Sequence, residues 1–480
     1  MKGLQAAVLA AADAGVKVRT YVPGYPINDL AVALDCEISV SEKVAMEIAL
    51  GASATGKRSL VLVKQMGMNV LADPLVISAT HAIGSGLVVM AGDDLGPKGS
   101  QAEMDSRFYG PLAELPVLDP RGPAALHASI LEAYMLSEWL RIPVVLRVTA
   151  RLLQAEEDVI ARPAPGTPQL FENENWSLTA RGRHQRHHDR ILAFAEEASE
   201  SSTLNRFDIS GNVGIIASGF SASLAQGLGV SQLILGYSNP LPKKLLQRFI
   251  DGHRSILVAE EPEPFIESQI SGSSKVKGKL TGHLPRGQLE RADIIKALEN
   301  LDKKPEKRPE VYESVAERGY QGICEKCPFA PLFSALAEID VSIAGDAGCA
   351  IRASREPFLS VDVVYGLGSS VGVASGFAKK GIAVIGDFAL AHSGLTGLIN
   401  AIWQKRDVFV IVIKNDVAAM TGGQPAPDLT GVLQALLPTS MLQMPCPKDA
   451  LAKAIKEELN RSGPTALIAS GRCCIADRES

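Results

Sequence analysis

Short apolar runs alternate with stretches of helical period along most of the chain. The N-terminal third holds VKVRTYV, RSLVLVK, GLVVMAGDD and IPVVLRV, and SEKVAMEIALGASATG is a helical stretch between two of them. Near-continuous runs of Val, Ile and Leu are typical of parallel strands that are buried on both faces. Because strands alternate with helices, the pattern predicts a doubly wound, mostly parallel α/β sheet.

This pattern restarts twice, each time after a polar stretch that contains proline. The restarts predict domains at 1–155, 206–302 and 311–480, with a linker and a surface helix at 156–205. The charged segment KKPEKRPE at 303–310 is the boundary between the last two domains. The later strands are expected at NVGIIASG, SQLILGYS and RSILVAEE, and then at VSIAGD, GIAVIGD, VFVIVIKND and TALIASG.

Composition narrows the class of protein. Hydrophobic residues make up 46% and charged residues 21% of 480, which is ordinary for a soluble globular protein. The net charge of −5 gives no electrostatic case for nucleic-acid binding. No apolar run reaches the ~18 residues of a membrane span, and the N-terminal MKGLQAAVLAAADAGVKV reads as a helix running into a strand. We therefore expect a cytoplasmic protein with no membrane partner.

One basic run, RGRHQRHHDR at 181–190, stands out in the linker. Its histidines and arginines admit a metal site or a nucleic-acid contact. Isolated charge runs are more often the solvated face of a helix, and we interpret the run in that way.

Two polar residues follow consecutive apolar strands: Asp387 after IAVIG and Asn415 after VFVIVIK. Parallel strands end at one edge of a sheet, and ligands bind there. The segment SGLTGLINAIWQ predicts a helix between them, whose N-terminus offers N–H groups to a phosphate. A carboxylate and an amide oxygen suit Mg²⁺ that is shared with phosphates, and Gly386 allows close backbone approach. The alternative is a pair of ordinary strand-end turns.

The sequence around Asp387 and Asn415 resembles that of a known family. GDFALAHSGLTGLINAIWQK followed by AMTGGQPAP resembles thiamin-dependent enzymes, and more narrowly the alpha subunits of indolepyruvate ferredoxin oxidoreductases. The resemblance extends over nearly the whole chain, through SVSEKVAMEIALGASATGKRSLV, VKQMGMNVLADPL, GIIASGFSASL and TGHLPRGQL. It implies pyrimidine-binding, transketolase C-terminal-like and diphosphate-binding domains, in that order.

The resemblance also implies a cofactor site. Thiamin diphosphate would be held through Mg²⁺ by Asp387, Asn415 and the carbonyl of Val417. Further residues are implied near the diphosphate, the thiazolium or the rest of the cofactor: Gly386, His392, Ser393, Gly394, Met420, Thr421, Gly422 and Gln424.

A carboxylic acid must hydrogen-bond the aminopyrimidine of thiamin, so that the cofactor can lose its C2 proton. Glu42 and Glu47 are candidates in SVSEKVAMEIALG, and the resemblance favours Glu42, which lies nine residues before Gly51. The alternative is that Glu42 is only a first-turn glutamate that complements the helix dipole.

The seven cysteines do not form a disulfide framework. By resemblance to related 2-oxoacid oxidoreductases, Cys324, Cys327, Cys349 and Cys473 would bind one 4Fe-4S cluster, with Cys474 as a substitute for the last. A zinc site and inert buried thiols are the alternatives.

Three positions depart from the family. Tyr25 stands where a small hydroxyl residue is expected, and Gln65 and Phe329 stand where histidines are expected. Tyr25, Gln65 and Asn69 are the substrate-side candidates. The departures leave the identity of the 2-oxo acid open.

The implied reaction is oxidative decarboxylation of a 2-oxo acid of the indolepyruvate or aryl-pyruvate kind to acyl-CoA. Electrons would pass to ferredoxin, and the chain would form a homodimer that also holds a smaller beta subunit. No C-x₂-C-x₂-C-x₃-C run is present, so we expect the ferredoxin clusters on a separate chain. The alternatives are a non-oxidative 2-oxo acid decarboxylase and a non-catalytic thiamin-binding subunit.

Overall fold

The structure, a computed structural model, describes residues 1–97, 100–163, 166–305 and 322–474. The chain divides into two compact units, Met1–Glu310 and Val311–Ser480. Most of the boundary segment expected at 303–310 lies outside the described residues. The finer division into four segments stays a prediction.

The first unit contains two sheets. The larger has the order β10-β5-β6-β4-β3-β1-β2, with β10 antiparallel to β5 and the other neighbours parallel. The smaller has the order β12-β11-β8-β9-β7, with only β7 antiparallel among these strands. The strands are β1 (Val18–Tyr21), β2 (Glu37–Ile38), β3 (Ser59–Lys64), β4 (Leu87–Asp93), β5 (Val117–Leu118), β6 (Val144–Thr149), β7 (Arg206–Asp208), β8 (Val213–Ser218), β9 (Ser231–Leu235), β10 (Tyr237–Asn239), β11 (Ser255–Ala259) and β12 (Val276–Lys277).

Helices cover these sheets, and a π-helical turn at His187–Leu192 joins two of them. In the helix that starts at Glu42, the buried residues follow the i, i+3, i+4, i+7 spacing of one apolar face. The helices are α1 (Gly3–Asp13), α2 (Asn28–Ala33), α3 (Glu42–Ala54), α4 (Met68–His81), α5 (Tyr109–Ala113), α6 (Pro123–Leu140), α7 (Ala150–Gln154), α8 (Ala180–Arg186), α9 (Ala193–Ser201), α10 (Phe220–Ala225), α11 (Lys243–Asp251), α12 (Phe265–Ile270) and α13 (Arg291–Glu299).

A buried ion network links the two sheets of the first unit. The guanidinium of Arg107 is fully buried and donates to Asp105 at 2.6 Å and to Glu260 at 2.9 Å. It also donates to the carbonyl of Glu263 at 3.0 Å. Burial raises the pKa of Glu260, and the charge of Arg107 opposes that rise. The network therefore joins residues of the predicted first domain to residues of the predicted middle domain.

Replacing Arg107 by Met should destabilise this unit strongly, because two buried carboxylates would lose their counter-charge. We expect the free energy of unfolding, measured by urea titration, to fall by about 3–5 kcal/mol. Arg286→Met is the matched control, since the exposed Arg286 pairs with Glu263 at the surface and should change stability by less than about 1 kcal/mol. Equal effects of the two changes would contradict this account.

The second unit is built on a fully parallel sheet in the order β13-β14-β15-β19-β18, with apolar cores on both faces. A short antiparallel ribbon, β16 with β17, follows the central strand. The strands are β13 (Ile343–Gly345), β14 (Gly381–Gly386), β15 (Val408–Lys414), β16 (Val417–Ala418), β17 (Gln424–Pro425), β18 (Thr439–Gln443) and β19 (Thr465–Ser470). The helices are α14 (Ala330–Leu336), α15 (Cys349–Ala353), α16 (Ser370–Ser375), α17 (Asp387–Ala389), α18 (Leu395–Trp403), α19 (Thr430–Leu436) and α20 (Lys448–Leu459).

The predicted fold class is confirmed in both units: each contains mostly parallel sheets with helices packed on them. Among the described residues, no helix is both long enough and apolar enough to cross a membrane.

Candidate functional site

The carboxyl ends of β14 and β15 bring Asp387 and Asn415 together. The two strands are parallel neighbours, with Gly386 in register with Ile413. Oδ2 of Asp387 accepts the backbone N–H groups of Asn415 at 3.0 Å and Asp416 at 2.7 Å. The expected meeting of the two strand ends is therefore present, and Asp387 fixes the turn that carries Asn415.

Asp387 is only 5% exposed, and burial raises the pKa of its carboxyl. Three backbone N–H groups, from Asp416, Phe388 and Asn415, oppose that rise. Oδ1 of Asn415 accepts from the N–H of Val417 at 3.3 Å, where the chain enters β16. A carboxylate, an amide oxygen and a backbone carbonyl are all hard oxygen donors, so the donor set fits Mg²⁺.

The expected start of the helix in this segment is wrong. The helical chain begins at Asp387 itself and passes through a π-helical turn at Leu390–Gly394 before α18. Ser393 and Gly394 therefore lie inside the helical segment and not at its N-terminus. The glycines and the serine do not mark the start of the helix, because Asp387, directly after β14, already begins it.

His392 and Ser393 hold a neighbouring loop. The Ser393 hydroxyl donates to the carbonyl of Leu367 at 2.9 Å and hydrogen-bonds Nδ1 of His392 at 2.7 Å. Gly368, with φ of +80°, lies against that hydroxyl, and a Cβ there would come within 2.3 Å of it. These two predicted site residues therefore shape the loop before α16.

Asp346 is a buried acid at this edge that the sequence analysis missed. It follows β13, and its carboxylate accepts the N–H groups of Gly368 at 2.6 Å and Ser370 at 3.1 Å. Burial raises the pKa of Asp346 to about 6, against the pull of those N–H groups. The signal was available, because VSIAGD ends in Asp just as GIAVIGD does.

The ribbon after Asn415 brings together the other predicted residues. Thr421 donates to the carbonyl of Ala418 at 3.1 Å, and Nε2 of Gln424 donates to the carbonyl of Thr421 at 2.8 Å. Gly422 has φ of +116°, a conformation that side chains rarely adopt. Met420 is exposed in this turn.

In the first unit, Glu42 is buried at the first position of α3. Gly67 approaches it closely, since a Cβ on Gly67 would come within 2.6 Å of Oε1 of Glu42. Burial lowers the pKa of Lys64, while the charges of Asp94 and Glu42 raise it. Nζ of Lys64 donates to Ser100 at 3.3 Å. The Glu42 carboxyl is therefore closely packed against Gly67, and the ammonium group of Lys64 lies nearby.

The substrate-side candidates differ in their surroundings. Oε1 of Gln65 accepts the N–H of Asp94 at 3.3 Å, and its buried Nε2 has no hydrogen-bond partner among the described residues. Tyr25 is 55% exposed, and loss of hydration on its partly covered side, together with the charges of Asp94 and Asp29, raises its pKa. Asn69 is also exposed and accepts a hydrogen bond from Tyr109.

The structure brings the predicted cysteines near one another in the second unit. Burial raises the pKa of Cys327 to about 11, and the neighbouring Cys324, Cys474 and Cys473 add to the rise. Burial likewise raises the pKa of Cys349 to about 12, with contributions from Cys327, Cys473 and Cys324. Five thiols drawn from three separate segments therefore share one location.

Phe329, which replaces an expected histidine, is buried beside these cysteines. It belongs to the core cluster against which Cys327, Cys349 and Cys446 pack. The ring therefore contributes an apolar wall and no hydrogen bond at this position.

One group of side chains, at the end of α5, in α8 and in the π-helical turn after it, could hold a metal ion: Glu114, His184 and His188. Among the described residues it is the one set of three such ligand atoms within 4.8 Å of one another. The sequence analysis noted the histidines, but nothing in the sequence pointed to Glu114 as their neighbour.

Comparison of the sequence with known proteins shows which family the chain belongs to. A family model described as "Thiamine pyrophosphate enzyme, C-terminal TPP binding domain" matches residues 346–468. The indolepyruvate oxidoreductase subunit IorA of Methanothermobacter thermautotrophicus is 32% identical over 474 residues, covering 89% of this chain and 76% of that protein. The chain belongs to the IorA family. The IorA subunit of Archaeoglobus fulgidus is 31% identical, covering 88% of this chain and 76% of that protein.

Membership of the IorA family confirms the expected enzyme class, a 2-oxoacid:ferredoxin oxidoreductase subunit. Among solved structures, 2-oxoglutarate:ferredoxin oxidoreductase from Magnetococcus marinus, with 2-oxoglutarate, coenzyme A and succinyl-CoA bound, superposes with a TM-score of 0.50. That match has 15% sequence identity and covers 62% of this chain and 64% of the other. At this identity the likeness shows the fold alone.

Proposed function

We propose that this IorA-family chain catalyses the thiamin-dependent oxidative decarboxylation of an aryl-pyruvate-like 2-oxo acid in the cytoplasm. The acyl group goes to CoA and the electrons go to ferredoxin. The chain acts as a homodimer together with a smaller beta subunit. The observation that carries the proposal is the relationship to IorA subunits over 89% of the chain.

The second unit supplies the residues for the diphosphate end. The proposed Mg²⁺ ligands are Asp387, Asn415 and the carbonyl of Val417. They lie at or just after the carboxyl ends of the neighbouring strands β14 and β15. All three residues are within the segment that matches the thiamin-binding family model. Asp387 is held by backbone N–H groups, so its carboxylate is oriented before the metal binds. His392, Ser393 and Asp346 position the loop beside it.

Glu42 is the proposed acid for the pyrimidine end. When bound, thiamin diphosphate supplies a carbon nucleophile that attacks the keto carbon and accepts the electrons left by CO₂. The task of Glu42 is to share a proton with the aminopyrimidine ring. Its buried position at the start of α3 suits this task. Lys64 lies near enough to act on the charge of Glu42.

The cysteines of the second unit are the proposed ligands of one 4Fe-4S cluster: Cys324, Cys327, Cys349 and Cys473. A Zn–S bond of about 2.3 Å places the sulfurs of a tetrahedral zinc site about 3.8 Å apart. Among the described residues, no three cysteine sulfurs lie within 4.8 Å of one another. The wider spacing favours a larger group such as an iron–sulfur cluster over zinc.

The decisive measurement is the content of iron, sulfide, zinc and thiamin in protein purified without oxygen, with an electron paramagnetic resonance spectrum after dithionite. We expect about four irons per chain and the signal of a reduced cluster. Cys327→Ser should remove the iron, whereas Cys446→Ser should retain it, because Cys446 packs against the same core without being one of the four. Bound thiamin without iron in the unaltered protein would replace this proposal with non-oxidative decarboxylation.

A further inference from the structure

The basic run of the sequence forms a histidine-lined face that the proposed reaction does not use. His184 lies in α8, and His188 lies one turn later in the π-helical turn. Their rings are 4.5 Å apart between centroids. Both side chains are about half exposed, so an ion from solvent can reach them.

Glu114 completes the group from a different element. Oε1 of Glu114 lies 2.7 Å from Nε2 of His188, and its Oε2 lies 3.9 Å from Nδ1 of His184. The carboxylate therefore faces a nitrogen of each ring. Two histidines at i and i+4 with a carboxylate from elsewhere are the ligand types of a His₂Glu zinc centre.

Two backbone features hold Glu114 in this position. It ends α5 in the left-handed conformation, with φ of +55°. Its carbonyl accepts a hydrogen bond from Nε2 of His187 at 3.0 Å, and His187 is buried. The π-helical turn, a feature often found at functional sites, begins at His187.

Two arginines of the same run have hydrogen-bond partners outside the group. Arg183 donates to the carbonyl of Leu178 at 2.7 Å, and Arg186 donates to Asn175. At about 100° per residue, position 186 lies on the opposite side of the helix from positions 184 and 188. In the described part of the chain, the ion-pair partners of the Glu114 carboxylate are the ring nitrogens of His184, His187 and His188.

We propose that Glu114, His184 and His188 form a binding site for one divalent transition-metal ion of the Zn²⁺ class, with water in the remaining position. The bond lengths of such an ion, about 2.0–2.2 Å to nitrogen and oxygen, need the three ligand atoms about 3.3–3.5 Å apart. The observed separations from Glu114 are 2.7 and 3.9 Å, and all three ligand atoms lie within 4.8 Å of one another, so binding requires only side-chain adjustments. The ion cross-links α8 to α5, and the site is independent of the proposed reaction.

The test is calorimetric titration of the full chain, free of any purification tag, with Zn²⁺ and with Co²⁺. We expect one Co²⁺ per chain bound without the sulfur-to-metal charge-transfer absorption that cysteine ligands produce. His188→Gln, which retains hydrogen bonding to Glu114, and His184→Ala should each weaken that binding at least tenfold. Saturating Zn²⁺ should also raise the unfolding temperature of the unaltered chain but not that of either variant.

Glu114→Gln and Glu197→Gln form the matched pair for the carboxylate. Both remove one negative charge, but Glu197 is exposed on α9 and has no place in the group. Weakening by Glu114→Gln alone supports the site. The proposal is overturned if no Co²⁺ binds, if every bound ion shows the charge-transfer absorption, or if the histidine variants bind as the unaltered chain does.

Discussion

Replacing Glu42 by Gln is expected to lower the rate of 2-oxo acid decarboxylation by at least about 100-fold, because the amide cannot share a proton with the cofactor. Proton transfer by a placed side chain contributes about 10²–10⁴-fold to a rate. The variant should fold as before, since Gln has nearly the same shape as Glu in the narrow space beside Gly67. The measurement is the single-turnover rate at saturating thiamin diphosphate, with the unfolding temperature recorded alongside.

Glu47→Gln is the control for this experiment. Glu47 lies on the same helix and was the rival candidate in the sequence, but its side chain is about half exposed and pairs with Lys43. Removing its charge should leave the rate within about twofold, since exposed helix pairs contribute little. A Glu42→Gln variant as fast as the Glu47→Gln variant would show that Glu42 is only a first-turn helix residue.

The sequence was sufficient for the main strands because their apolar runs are long and unbroken. VFVIVIK forms β15, which is buried along its length except at Lys414. The short strand β5 was not predicted, because two residues carry no period of their own. The expected strand SQLILGYS is divided into β9 and the start of β10. Strands β5 and β10 pair only because the chain brings Val117 and Asn239 together across more than a hundred residues.

The site shows the same division between local and long-range signals. Asp387 and Asn415 were found because each follows a strand, and the parallel sheet does the rest. Asp346 carries the same local signal and was overlooked. The contact of Gly67 with Glu42 and the pairing of Glu114 with His188 depend on packing between separate helices and loops, and no spacing in the sequence encodes them.

Replacing Asp387 by Asn is expected to weaken the binding of Mg²⁺ and thiamin diphosphate by at least about 100-fold. Loss of a group that merely orients a metal ligand costs about 10–100-fold in metal affinity, and a ligand itself should cost more. The new amide NH₂ would also face the N–H of Phe388, which now donates to Oδ1 at 2.8 Å. The measurement is a calorimetric titration of the chain with thiamin diphosphate in the presence of Mg²⁺.

Asp428→Asn separates the role of this carboxylate from a general effect of charge. Asp428 is exposed, and its Oδ2 lies 3.7 Å from Nζ of Lys414. Lys414 is the last residue of β15, directly before Asn415. Replacing Asp428 removes the same charge near the same strand but leaves the turn at Asp387 intact, so affinity should stay within about twofold. If both variants lose affinity equally, the strand edge attracts Mg²⁺ only through its overall negative charge, and Asp387 is not a metal ligand. If only Asp387→Asn loses affinity and the loss disappears when Mg²⁺ is omitted, the carboxylate acts through the metal.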